Sequence, residues 1–174
     1  VEKSGQKWTS VPKMREKGKE KLNKELQNIL RGSFITKVDD KGRIKIPTAF
    51  KRIILEEYGP NLYITSLTGE SVRIYPFPVW AEIEEKLLTL PSMHPTKLRV
   101  VDVSSYFGQI ATMDKQGRVL IPQKLREEAR MEGEVAVLGH LRYLEVWNDQ
   151  LFREKRLAVP LTEEDLRILS ELGI

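Results

Sequence analysis

Around residue 44 the chain alternates, with Ile44 and Ile46 on one side and Arg43 and Lys45 on the other. Period-two alternation predicts a strand that is buried on one face and wet on the other. The stretch 33–38 reads as a strand leading into it. Pro47 then stops the second strand and suits the first turn of a helix. Phe50, Ile53, Ile54 and Glu57 recur at helical spacing and carry that helix over 47–58, where Gly59 ends it. Strands follow over 61–67 and 71–76, joined as a hairpin through Thr68-Gly69-Glu70. A helix over 78–88 is expected to bury Trp80, Ile83 and Leu87.

The series then runs again. Strands over 107–113 and 118–121, a helix over 122–130 and strands over 134–138 and 143–147 repeat the first order, and a helix near 149–156 sets Phe152 in the place of Trp80. Between the copies, Pro91 and Pro95 break the chain. The stretch 96–106 reads as a connecting helix, with a strand as the alternative because Val100, Val101 and Val103 crowd its centre. The tail opens at Pro160, with Thr162 as N-cap and acids in the first turn of a helix ending near Gly173. At the other end, Leu22, Leu26, Ile29 and Leu30 permit an amphipathic helix from about Met14 to Leu30; an unstructured lead-in is the alternative.

The repetition is sharpest at Asp39-Asp40-Lys41-Gly42-Arg43-Ile44-Lys45-Ile46-Pro47, which returns 75 positions later as Asp114-Lys115-Gln116-Gly117-Arg118-Val119-Leu120-Ile121-Pro122. Asp-x-x-Gly is turn chemistry: a short acceptor side chain opens the turn, and Gly takes the φ > 0 position that closes it. Each copy alone is too small for a sound core. The two are therefore expected to pack about an internal pseudo-twofold axis, bringing both arginine-bearing turns to one side.

Composition narrows the classes. The 174 residues include no cysteine, so disulfides, thiolate metal sites and cysteine nucleophiles are excluded. No apolar run is long enough to span a bilayer, and a soluble intracellular protein is the default expectation. Residues 1–31 hold nine Lys/Arg and four Asp/Glu, leaving 20 basic and 21 acidic residues for the remainder. Nucleic-acid binding by the remainder must come from local clusters rather than bulk charge.

At the doubled motif the sequence resembles the MraZ family, bacterial transcriptional regulators of the division and cell-wall gene cluster. Arg31-Gly32-Ser33-Phe34, Ile74-Tyr75-Pro76 with Trp80, and Glu145-Val146-Trp147 extend the resemblance over about 31–156. It implies a mixed β/α, mainly β, AbrB-like swapped-hairpin fold made of two tandem repeats in one chain, with flanking helices. The corresponding division is a basic N-terminal extension (1–32), a first SpoVT-AbrB repeat (33–80), a helical connector (81–107), a second repeat (108–151) and a C-terminal helical tail (152–174). The resemblance also implies a closed homo-oligomeric ring that binds direct repeats in its own promoter, in the cytoplasm and on the nucleoid. Two departures stand out: residues 1–30 have no counterpart in the family, and the connector at 98–103 lacks the family's aromatic-rich run.

Arg43 and Arg118 are the leading candidates for DNA contact, because a guanidinium donates two parallel hydrogen bonds to guanine O6 and N7 or clamps a phosphate. A lone exposed arginine would ordinarily be solvated surface; duplication of the whole unit shifts the weight. Asp39 and Asp114 would be repelled by phosphate and are assigned, with Gly42 and Gly117, to fixing the turns and orienting the arginines. Lys37, Lys41, Lys45 and Lys115 are candidate phosphate contacts, each with a solvated strand face as its alternative. Leu120 replaces Lys45 in the second copy, so the two halves differ electrostatically. Lys51, Arg52, Arg126 and Arg130 read as solvated helix faces or subunit contacts, and Tyr75, Trp80, Trp147 and Phe152 as core. His94 and His140 stand in no catalytic or metal-binding frame. The sequence thus predicts a non-enzymatic regulator, a repressor, whose partner is double-stranded DNA, with no cofactor, small-molecule substrate or membrane. The alternative is a protein-interaction module of antitoxin or assembly type, with 161–174 as a docking helix.

Overall fold

A computed structural model describes residues 18–20, 22, 23 and 26–174. The helix expected from about Met14 lies partly outside them. Within them Leu30 is fully buried, and its backbone exchanges hydrogen bonds with Leu141 (2.8 and 3.0 Å).

The elements run β1 (Ser33–Lys37), β2 (Arg43–Lys45), α1 (Thr48–Glu57), β3 (Asn61–Thr65), β4 (Val72–Pro76), α2 (Phe77–Leu88), α3 (Pro95–Tyr106), β5 (Gln109–Thr112), β6 (Arg118–Leu120), α4 (Gln123–Glu128), β7 (Glu134–His140), β8 (Tyr143–Asn148), α5 (Asp149–Phe152) with a π-helical turn over Arg153–Leu157, and α6 (Glu163–Glu171). All strand pairs are antiparallel. Six strands form one sheet in the order β1-β7-β8-β4-β3-β5, and β2 pairs with β6 in a separate ribbon. Matched through the 75-residue shift, β1 corresponds to β5 and β3 to β7, so the sheet order reads alike from either end. The fold is thus β-rich and AbrB-like, with the strands of both copies interleaved.

This pairing separates the two strands that flank each motif. The Asp-x-x-Gly turns close locally, Asp39 N–H bonding the Arg43 carbonyl at 2.8 Å and Asp114 N–H the Arg118 carbonyl at 3.0 Å. Beyond the turn the flanking strands part, β1 to β7 and β2 to β6. Alternation fixes which face of a strand is buried but leaves its partner open.

One core lies between the layers. Ile44, Ile46, Phe50 and Ile54 of the first copy meet Val119, Ile121, Leu125 and Ala129 of the second in a single buried cluster. These four pairs occupy equivalent places in the repeat, so each copy covers the other's apolar face. A smaller aromatic cluster gathers Tyr75, Val79 and Trp80 against Tyr63 and Tyr143. Here α2 buries Val79 and Trp80 and packs Ile83, partly buried, against them, whereas Leu87 is partly exposed and lies outside both clusters. Glu145 is the buried charge of β8; it accepts a hydrogen bond from the Ser71 hydroxyl at 2.7 Å and sits 3.3 Å from His140 Nε2 and 3.9 Å from Arg73 Nε.

The connector is helical, with Pro95 in the first turn of α3 and the His94 ring accepting from the Thr96 amide at 3.2 Å. Local start chemistry outweighs the β-branched centre there. The tail helix carries a full capping box: Thr162 Oγ1 accepts from the Asp165 amide (3.1 Å), and Asp165 accepts from the Thr162 amide (2.7 Å).

Candidate nucleic-acid interface

The β2/β6 ribbon sets the candidate residues. Ile44 and Val119 are cross-strand partners and both point into the core. Their neighbours must therefore face the other way: Arg43 stands opposite Leu120, and Lys45 opposite Arg118. Three cations and one exposed leucine share this outer face. Like charges directly opposite on a ribbon repel; Arg118 meets this with a carboxylate of its own turn, Asp114 at 2.7 Å.

Each arginine is aimed by its own turn. Asp39 Oδ1 accepts from the Lys41 and Arg43 amides at 3.0 and 2.8 Å, while Oδ2 accepts from Arg43 Nε at 2.8 Å. Asp114 repeats the arrangement, taking the Gln116 and Arg118 amides at 2.9 and 2.8 Å and Arg118 Nε at 2.7 Å. The Arg43 amide above all, then its guanidinium, holds the Asp39 carboxyl below its ordinary value, and Arg118 does the same for Asp114. Both therefore stay ionised as pH falls into the ordinary carboxylate range. Because Nε is spent on the aspartate, the Nη groups remain for a ligand. Gly42 and Gly117 occupy the left-handed region, φ 78° and 76°, that closes each turn.

Lys41 and Lys115 sit exposed in the two turns, at neighbouring rather than equivalent positions, so each turn carries one lysine. Lys37 stands apart at the end of β1, where its cross-strand partner is Glu134. The structure thus brings Arg43, Lys45 and Arg118 onto one face with Lys41 and Lys115 in the adjoining turns, and sets Lys37 on the other sheet.

Two residues read from the sequence as solvated helix faces or subunit contacts bond the two turns. Lys51 of α1 donates from Nζ to the Lys115 carbonyl at 3.1 Å, and Arg126 of α4 donates from Nη1 to the Lys41 carbonyl at 3.1 Å. Their targets are backbone oxygens, which leave no mark in a sequence. The available signal was their separation, the same 75 positions as the motif.

Among the described residues no group of His, Asp and Glu could hold a metal, and no helix is long and apolar enough to cross a membrane. Fold and face together define an AbrB-like protein built to present a cationic ribbon. The model of the MraZ protein family, whose description also calls it antitoxin-like, matches residues 109–165. The transcriptional regulator MraZ of Acidobacterium capsulatum is 45% identical over 146 residues, covering 84% of this chain and 100% of the relative. That of Koribacter versatilis is 46% identical over 147 residues with the same coverage, and that of Chromobacterium violaceum 33% identical over 142 residues, 82% of this chain and 95% of the relative. The chain belongs to the MraZ family of transcriptional regulators and is not an enzyme.

Proposed function

We propose that this regulator binds double-stranded DNA in a sequence-specific way through the outer face of the β2/β6 ribbon. One observation carries the reading: two copies of an aspartate-aimed arginine converge on a single face that also holds Lys45. A two-stranded ribbon fits the major groove, where Arg43 and Arg118 would read guanine edges. Lys41, Lys45 and Lys115 would neutralise phosphates, and Lys37, with a carboxylate opposite, would contribute least. The repeats at 33–80 and 108–151 are the DNA-binding SpoVT-AbrB units, flanked by the 1–32 extension, the 81–107 connector and the 152–174 tail. The protein works in the cytoplasm on the nucleoid, and represses its own division and cell-wall promoter by occupying direct repeats there.

One chain offers few phosphate contacts and a small contact area, which predicts weak binding alone. A closed ring of chains makes each later contact effectively intramolecular and raises avidity without new chemistry. Binding is then expected to depend on helical phase. Inserting about half a turn of DNA, roughly 5 base pairs, between two repeats should weaken binding far more than a full-turn insert, as read by titration at fixed salt. Equal affinity for the two inserts, or for a single repeat, would contradict multivalent binding.

A further inference from the structure

We infer that Lys51 and Arg126 are positioning residues for DNA recognition, each holding the turn of the opposite repeat. The inference rests on the ribbon-face reading above and deepens it. Lys51 and Arg126 occupy equivalent places on α1 and α4, and each reaches across the molecule rather than to its own turn. Arg126 Nη1 bonds the Lys41 carbonyl and Lys51 Nζ the Lys115 carbonyl, both at 3.1 Å. The backbone repeats the crossing: the Ile121 amide bonds the Gly42 carbonyl at 3.0 Å, and the Ile46 amide the Gly117 carbonyl at 2.8 Å.

The glycines fit this arrangement in a second way. A β-carbon on Gly42 would land on the Arg126 guanidinium, and one on Gly117 would come within 2.8 Å of Lys51 Cδ. Both long side chains therefore lie against the bare face of a glycine. Each turn is shaped by its own aspartate and tied down by a cation of the other copy. That cation also occupies a carbonyl whose negative end would otherwise stand close to an approaching phosphate. The consequence is crossed coupling: Arg126 acts through Arg43, and Lys51 acts through Arg118.

The experiment titrates the full chain with the duplex taken from immediately upstream of its gene and with a random duplex of equal length, at several salt concentrations. The variants are Arg126→Ala and Lys51→Ala, each alone and combined with Arg43→Ala or Arg118→Ala. Arg126→Lys and Lys51→Arg are added because they keep a donor and guard against loss of folding, which melting curves monitor. Each alanine variant should bind the upstream duplex about three- to thirtyfold more weakly, with random-duplex affinity and salt slope unchanged and binding substantially restored by the conservative variant. The Arg126→Ala loss should vanish in the Arg43→Ala background and persist in the Arg118→Ala background, with the mirror pattern for Lys51→Ala. If Arg43→Ala weakens binding while Arg126→Ala and Lys51→Ala do not, the positioning role alone is overturned. Losses that multiply in every background, or a shallower salt slope on both duplexes, would mark direct phosphate contacts and overturn it as well. If Arg43→Ala and Arg118→Ala leave affinity for the upstream duplex untouched, the ribbon-face reading falls and takes this inference with it.

Discussion

Replacing Arg43 and Arg118 together with alanine should remove the preference for the upstream duplex while the protein melts close to the wild type. A bidentate arginine–guanine contact contributes about 1–3 kcal/mol of discrimination. Two such contacts on separate base pairs add, giving a loss of roughly thirtyfold to twenty-thousandfold in affinity. Little stability goes with it, because both side chains lie on the outer face and the apolar side of the ribbon is carried by Ile44 and Val119. Residual binding should be electrostatic, common to any duplex and steeply salt-dependent. Competition titrations with random duplex, beside a melting curve, measure both halves of the expectation. Preserved discrimination in the double variant would remove the arginines from recognition.

The second large effect lies directly beneath that surface and has the opposite signature. Phe50 is 2% exposed, packs in the cluster shared by the two copies, and meets Phe34 edge-on with ring centroids 5.2 Å apart. Phe50→Ala should cost about 3–5 kcal/mol, the transfer term plus the cavity it leaves. For a chain of this size that lowers the melting temperature by roughly 6–20 °C. Urea titration should move the midpoint with little change in slope. A shift of only a degree or two would mean that the cluster collapses around the missing ring, contrary to a core in which each copy covers the other. Below the shifted melting point the variant should keep its DNA preference, which separates the packing role from the recognition role.

Much of this arrangement was legible in the residues because it is local. Asp39 and Gly42 specify a turn by their own chemistry, alternation at 43–46 decides which side chains face out, and Thr162 with Asp165 marks a helix start. Repetition of the whole unit separated Arg43 and Arg118 from ordinary surface arginines. Strand partners were a different matter. Pairing β2 with β6 is settled only when both copies are packed together, because alternation sets the buried face of a strand and leaves its partner open. Leu87 follows the same helical period as Trp80 and Ile83, which predicts burial, yet it lies outside both buried clusters. Glu145 sits between Leu144 and Val146 with partners contributed by β4, β7 and the turn before β4, so no short window reveals why a charge is tolerated there. Lys51 and Arg126 stayed hidden because a bond to a backbone oxygen can be made to any residue.

Amide hydrogen exchange on the full chain, with and without the upstream duplex, tests most directly whether the ribbon face is where DNA lies. The account predicts slowed exchange concentrated in peptides covering 39–45 and 114–120, both turns together, with the acidic tail helix at 163–171 unchanged. Protection in the tail or along the outer edges β1 and β5, with both turns exchanging as in the free protein, would contradict it.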